Sequence, residues 1–357
     1  MNQAFSQQAL LEQLYQGHSL TRDETRILFT EIMNGNMSEA AIAAMLIAMK
    51  IHGETIDQIT GAADALRSVA KAFPSPDEAV KAKGILDIVG TGGDGHDTIN
   101  ISTMAAFVAA ASGANVAKHG NRSATSKTGS SDLLSQFGIN LTMSPEVACQ
   151  CLNTLGLCFL FAPHYHGGIK HAMPVRKALK TRTLFNVLGP LINPATPDFM
   201  LLGVYSPDLV APIAQVLQAL GVKRAMVVHG SGLDEIAIHG ETLVNELKDN
   251  HIREYHLTPT ALGIPLANLA DIKGGSPSEN ARYTQAILQG KGQTAHTHAV
   301  AMNAGCALYI AGLADTPKAG TELALSTLKS GRAYTLLTEL ANASQTGSAI
   351  VTKEVLS

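Results

Sequence analysis

The chain has 357 residues, of which 46% are hydrophobic, 15% charged and 4% aromatic, with no Trp. That length suits two domains or one large domain with an appendage, and small aliphatic side chains have to fill the core. A formal net charge of −3 and a pI near 6.5 exclude a broadly basic nucleic-acid binder, so any anion site is local.

The N-terminus carries no basic segment followed by an apolar run, and the apolar stretch Ala40 to Ile51 is too short to span a bilayer. A cytoplasmic protein with no membrane partner is expected. Residues 1 to about 73 read as helical. Thr21 and Glu24 make a capping box before Leu28, Phe29, Ile32 and Met33, which recur at helical spacing. Ser38 can cap a helix carrying Ile42, Met45, Leu46 and Met49. Thr55 and Gln58 make a second capping box ahead of Ile59, Ala62, Ala63 and Leu66. The broad Ala/Met faces of these helices have to be buried on the rest of the chain or on a second copy, which predicts a homodimer through this region.

Phe73 to Glu78, with Pro74 and Pro76, reads as a linker and a hinge between lobes. Beyond it, short apolar runs at Ile85–Val89, Asn115–Ala117, Leu157–Ala162, Leu201–Tyr205 and Ala225–His229 alternate with helical stretches such as Thr103–Ala111 and Leu209–Leu220. This alternation predicts an α/β domain over 79–357 with a mostly parallel central sheet. Ligands of such sheets lie beyond the carboxyl ends of the strands, so the strand-to-helix loops carry the chemistry.

The first of these loops is Gly90-Thr91-Gly92-Gly93-Asp94-Gly95. Its glycines satisfy G-x-G-x-x-G, but the context does not suit a dinucleotide site. The helix begins only near Ser102, and the second strand ends in Lys118-His119-Gly120, where ribose recognition needs an acid. The loop still has the chemistry of an anion cradle. Glycines let several N–H groups face one oxyanion, and Thr91, Thr98, Asn100, Ser102 and Thr103 add polar groups at a helix N-terminus. Asp94 adds a carboxylate, which suits a metal ion or sugar hydroxyls beside phosphate. The second loop, Lys118 to Asp132, places three cations, several hydroxyls and two glycines within fifteen residues, a composition suited to wrapping phosphates. The four cysteines, Cys149, Cys151, Cys158 and Cys306, form no Cys-x-x-Cys pair and are expected as buried, reduced thiols. His164-x-His166 lacks a third ligand at a zinc-like spacing.

Gly90–Gly95, Asn100-Ile101-Ser102-Thr103 and Lys118–Asp132 resemble the two phosphoribosyl-pyrophosphate loops of the anthranilate phosphoribosyltransferase family. The resemblance continues through Phe159–Pro163, Lys170–Arg176, Thr181–Pro194 and His229–Glu235, in the family's order over roughly residues 85 to 240. It implies a nucleoside phosphorylase/phosphoribosyltransferase-like fold, with a helical domain of residues 1–73 joined by about 168–190. It further implies transfer of a 5-phosphoribosyl group to anthranilate in tryptophan biosynthesis, assisted by two Mg²⁺ ions per monomer and without a covalent enzyme intermediate.

By the same resemblance Gly90, Gly93, Asp94, Thr98, Asn100, Ile101, Ser102 and Thr103 hold the donor. So do Lys118, His119, Gly120, Asn121, Arg122, Ser123, Ala124, Thr125, Ser126 and Ser130. Gly90, His119, Asn121 and Arg176 contact anthranilate, Arg176 by its carboxylate. An Arg fork matches a carboxylate bidentately. Ser102, Asp234 and Glu235 engage metal, a role that paired acids in a loop also suit on hard-cation grounds.

Two departures stand out. Gly167-Gly168 replaces a usual Pro-Ala and is expected to loosen a substrate-access loop, and Ile99 replaces a Phe. Two competing readings remain at this point. One is a pyrimidine nucleoside phosphorylase, which needs no Asp-Glu metal pair. The other is a nucleic-acid-binding relative, which the net charge disfavours.

Overall fold

A computed structural model describes residues 6–122 and 128–345. Four helices open it: α1 (Gln7–Tyr15), α2 (Arg22–Asn34), α3 (Glu39–His52) and α4 (Ile56–Ser68). Both expected capping boxes are made, at Thr21/Glu24 and Thr55/Gln58, and Ser38 caps α3. Helix α1 was not singled out in the sequence. It starts at Ser6, whose side chain accepts from the Ala9 N–H. In α4, Gly61 comes so close to α2 that an added Cβ would meet the Arg22 carbonyl oxygen at 2.2 Å. The close approach of these helices therefore depends on a missing side chain.

Seven strands follow: β1 (Leu86–Gly90), β2 (Val116–Gly120), β3 (Leu157–Phe161), β4 (Phe199–Gly203), β5 (Arg224–Gly230), β6 (Thr242–Lys248) and β7 (His251–Leu257). They form one sheet in the order β3-β2-β1-β4-β5-β6-β7. Pairing is parallel from β3 to β5 and antiparallel for β5–β6 and β6–β7. The hairpin of β6 and β7 was not anticipated. It turns at Asp249-Asn250, both at positive φ of 51° and 60°, without the glycine that usually marks such turns. The fourth strand lies two residues earlier than the run Leu201–Tyr205 suggested and ends at Gly203.

Alternation along the strands divides the core in two. Leu201, Met226 and Val228 face one side, with the helices Ile101–Ala111 and Thr294–Ile310. Met200, Leu202, Ala225 and Val227 face the other, where they meet the helix Val210–Ala219, the buried face of α1–α4 and Ala172, Val175, Phe185 and Leu188. The Ala/Met faces of α2–α4 are thus buried on the rest of this chain. Each fully buried Leu, Ile or Met here contributes about 1.5–3 kcal/mol.

Within the linker the Asp77 N–H donates to Asn153 Oδ1 at 3.0 Å, and just before it the Lys71 N–H donates to the Tyr165 carbonyl at 2.8 Å. Strands β1, β2 and β3 progress one way from β1, and β4 and β5 the other. The order therefore reverses between β1 and β4, and in open α/β sheets ligands bind beyond the carboxyl ends at such a reversal.

Candidate active site

The glycine loop leaves β1 at this reversal. Gly90 pairs in register with Gly203 of β4, and both must be glycine because the 234–238 loop presses on them. An added Cβ on Gly90 would lie 2.3 Å from Asp234 Oδ2, and one on Gly203 would lie 1.6 Å from the Asp234 carbonyl oxygen. The Gly92 N–H donates to Asp234 Oδ2 at 2.6 Å. Gly92, Gly93 and Gly95 all have positive φ, at 69°, 82° and 79°, a backbone that few side chains tolerate. Asp94 accepts from the His96 N–H at 3.2 Å.

The helix Ile101–Ala111 begins where expected, with Asn100 as N-cap. The Asn100 side chain does not cap it. Instead its Nδ2 donates to the Thr128 carbonyl at 3.0 Å and its Oδ1 accepts from Asn280 Nδ2 at 3.2 Å, which joins the two loops. Thr98 pairs with Lys273 in an isolated bridge. Ile99 and Ile101 lie in the core, and Thr103 is buried.

Strand β2 delivers Lys118 and His119. Lys118 is only 4% exposed, and its Nζ donates to the Ile88 carbonyl at 2.5 Å and to Ser102 Oγ at 3.4 Å. Burial pulls its pKa down, while Asp87, Glu235 and Asp234 oppose that shift. His119 Nδ1 lies 3.1 Å from the Gly189 carbonyl. A carbonyl only accepts, so Nδ1 carries the proton and Nε2 is left as an acceptor. Nε2 has no hydrogen-bond partner among the described residues. Burial depresses the His119 pKa to about 3.

Gly120 packs so closely that a Cβ would meet Ser130 Oγ at 2.5 Å, and Ser130 Oγ donates to the Asn121 carbonyl at 3.2 Å. Asn121 and Arg122 are exposed, with Arg122 3.6 Å from Asp132. Ser123, Ala124, Thr125 and Ser126 lie outside the described residues.

The acid pair lies in the loop after β5. Burial is the main cause lifting Asp234 to about 7, with Asp94 adding repulsion. Glu235 is raised well above the usual carboxylate range by burial and then by Asp234, against the pull of Lys118. Crowded carboxylates of this kind suit a hard divalent cation, which removes the repulsion. No three His, Cys, Asp or Glu side chains among the described residues form a ready metal cage.

Arg176 projects from the helix Met173–Leu179. Its guanidinium lies 5.2 Å from the Phe185 ring centroid, and its Nη1 is 3.8 Å from Met173 Sδ. It has no ion pair among the described residues.

Several residues that bear on the site were not found from the sequence. Asp87 is fully buried, accepts from Asn193 Nδ2 at 2.8 Å and is pushed up to about 6 by burial, against Lys118. A charged residue inside the apolar run of β1 was the available signal. Asn303, on the helix Thr294–Ile310, accepts from the Ile236 N–H at 3.0 Å and donates to the Ile236 carbonyl at 3.3 Å. It locks the backbone next to Glu235, and as one amide on an apolar helix it offered no motif. His166 meets His119 edge-on, with ring centroids 5.2 Å apart, and burial lowers it to about 4. His164 lies elsewhere, 3.2 Å from Lys71 Nζ.

The Gly167-Gly168 pair differs from the expected flexible loop. Neither glycine has positive φ, and a Cβ on Gly168 would meet the Met33 carbonyl at 2.7 Å. Gly168 lets this segment lie against the end of α2.

A helical bundle set against a mostly parallel sheet, with a glycine loop and an acid pair at the topological switch, is the arrangement of a glycosyl transferase family, and the comparisons with known proteins agree. A family model described as "Glycosyl transferase family, a/b domain" matches residues 82–334, and one described as "Glycosyl transferase family, helical bundle domain" matches residues 8–70. The anthranilate phosphoribosyltransferase of Shewanella loihica is 68% identical over 338 residues, covering 95% of this chain and 97% of the relative. A crystal structure of anthranilate phosphoribosyltransferase from Thermus thermophilus superposes with a TM-score of 0.89 at 40% identity, covering 94% of this chain and 99% of that one. The Saccharomyces cerevisiae enzyme in complex with PRPP and Mg gives 0.86 at 27% identity, covering 95% and 99%. The chain belongs to the anthranilate phosphoribosyltransferase family, and it is an enzyme, a pentosyl transferase.

Proposed function

We propose that the protein transfers the 5-phosphoribosyl group of phosphoribosyl pyrophosphate to the amine of anthranilate, giving N-(5-phosphoribosyl)anthranilate and pyrophosphate, as a step of tryptophan biosynthesis. The observation that carries this reading is the junction of the glycine loop with Asp234 at the β1/β4 reversal, where the Gly92 N–H is already bound to the carboxylate. The ribose C1–oxygen bond breaks with its electron pair going to pyrophosphate, C1 bonds the amine nitrogen, and the amine gives up a proton. Negative charge grows on the leaving group, so the protein's task is electrostatic. No covalent nucleophile is needed.

The loop Gly90, Gly93 and Asp94 receives the pyrophosphate, with Thr98, Asn100, Ser102 and the backbone of Ile101 and Thr103 beside it. Lys118, Gly120, Arg122, Ser123, Ala124, Thr125, Ser126 and Ser130 surround the phosphoribosyl part. Ser102, Asp234 and Glu235 hold Mg²⁺, two ions per monomer, which supply countercharge to the pyrophosphate. Support for the metal comes from the crowded acids and from the yeast relative, whose structure contains PRPP and Mg.

Gly90, His119, Asn121 and Arg176 contact anthranilate. Among the described residues no carboxylate pairs with Arg176, which supports a role for its guanidinium in meeting the anthranilate carboxylate. The unprotonated Nε2 of His119 is an acceptor of the right kind for an amine N–H. A helical domain of residues 1–73 with about 168–190, and an α/β domain of 79–357, flank this cleft. The exposed Tyr15 and Ile51 on α1 and α3 support a homodimer through the helical domain. No helix of the described residues is long and apolar enough to cross a membrane, and the proposed setting is the cytoplasm, with no nucleic-acid or membrane partner.

The test is to mix the protein with anthranilate, phosphoribosyl pyrophosphate and Mg²⁺ and follow the loss of anthranilate fluorescence. Consumption that needs all three is expected. No consumption while the donor still binds by calorimetry would reject anthranilate as the acceptor.

A further inference from the structure

Arg182 lies between the helices Met173–Leu179 and Phe185–Leu188, and its guanidinium is engaged twice. Nη2 donates to the Gly93 carbonyl at 2.6 Å, and Cζ stands 3.8 Å from the Tyr205 ring centroid. Tyr205 itself anchors the same loop, because its N–H donates to Thr91 Oγ1 at 3.1 Å. The segment bearing Arg182 is fixed to the helical side of the molecule. Lys50 of α3 donates to the Thr181 hydroxyl, the Thr183 N–H donates to Asn186 Oδ1 at 2.9 Å, and Leu184 and Phe185 enter the core shared with α1–α4. Arg182 therefore reaches from the helical side to the glycine loop.

That loop has little shape of its own. Gly92, Gly93 and Gly95 all sit at positive φ, and glycine there has many alternatives open to it. Ties from other segments hold the loop: the Thr91 N–H donates to the Gly203 carbonyl at 2.9 Å, Asp234 takes the Gly92 N–H, the Tyr205 N–H donates to the Thr91 hydroxyl, and Arg182 takes the Gly93 carbonyl. Among these ties, the Arg182 contact comes from the helical side. In a trans peptide the C=O and N–H point opposite ways. Holding the Gly93 carbonyl toward Arg182 thus turns the Asp94 N–H to the other face of the loop.

We propose that Arg182 is a positioning residue for the phosphorylated donor: its fork and its stacking on Tyr205 hold the glycine loop in its anion-accepting form, and they make that form depend on the docked helical side. This rests on the reading of the loop as the pyrophosphate site.

The experiment compares wild type, Arg182→Ala and Arg182→Lys by steady-state kinetics for both substrates, by calorimetric titration with phosphoribosyl pyrophosphate and Mg²⁺, and by thermal melting. Loss of one charge-assisted bond predicts a rise in donor KM and Kd of about tenfold or more in Arg182→Ala. The anthranilate KM should stay within about twofold and the melting temperature near wild type. Lysine keeps the charge without the planar fork, so it should recover only part of the affinity. An unchanged donor affinity in Arg182→Ala, complete recovery by lysine, or an equal rise in both KM values with a lower melting temperature would each overturn the role. Wild-type protein that binds no donor in the same titration overturns the underlying reaction as well. Donor binding by wild type with an unaltered Arg182→Ala affinity overturns only the role of Arg182.

Discussion

The carboxylates behind the glycine loop and the histidines near the end of β2 share one interior, yet their protons are displaced in opposite directions. Asp234 is lifted to about 7 and Asp87 to about 6, while His119 falls to about 3 and His166 to about 4. The first cause is the same in all four, because burial penalises charge of either sign. The outcome differs because of what each end contains. The acid end gathers Asp94, Asp234 and Glu235 and answers them mainly with Lys118, so it is short of positive charge. At the histidine end burial and the positive charge of Arg67 both disfavour protonation of the two imidazoles, and His119 Nε2 has no hydrogen-bond partner among the described residues. Under the proposed function, the first end would take the cation and the phosphates and the second the amine.

The severest way to break this contrast is Asp234→Ala. Losing a cation ligand that offsets leaving-group charge should lower turnover at fixed Mg²⁺ by on the order of a hundredfold or more. Initial rates of anthranilate consumption measure it, and a loss under about tenfold would place the cation elsewhere. Next is Arg176→Ala, expected to raise the KM for anthranilate by about 10- to 100-fold while leaving the donor KM alone. A rise in the donor KM instead would move Arg176 to the other end of the cleft.

The smallest effect is in stability against pH. A carboxyl raised in the folded state, such as Asp234, contributes stability that is full below its unfolded pKa and is lost as pH rises toward about 7. A depressed imidazole such as His166 contributes stability that is present above its unfolded pKa and is lost as pH falls toward about 4. In metal-free protein the two slopes oppose each other. Urea titrations across that range should show Asp234→Asn gaining stability with rising pH more steeply than wild type, and His166→Gln less steeply. Parallel slopes in all three proteins would contradict the opposed shifts.

Much of this molecule was legible along the chain. Thr21/Glu24, Ser38 and Thr55/Gln58 mark helix starts through contacts three residues long, and the alternation of apolar runs with helices gave the mostly parallel sheet. The β6–β7 hairpin escaped because Asp249-Asn250 takes the place of a glycine turn and because His251–Leu257 is largely polar on an edge strand. The glycine loop stood out in the sequence by its residues alone, and its Gly92, Gly93 and Gly95 do take positive φ. The ties that shape it, from Asp234 and Arg182, did not stand out there.

Those ties join groups far apart in sequence. Asp234 lies 142 residues from Gly92, Arg182 lies 89 from Gly93, and Asn303 lies 67 from Ile236. Caps, turns and period-two burial are set by neighbouring residues, and neighbours suffice to read them. The side-by-side placement of β1 and β4, the need for glycine at both Gly90 and Gly203, and the opposite displacement of acid and imidazole protons exist only once the sheet is assembled. Burial and backbone approach are properties of the packed chain, and no local pattern encodes which distant segment will press on a given residue.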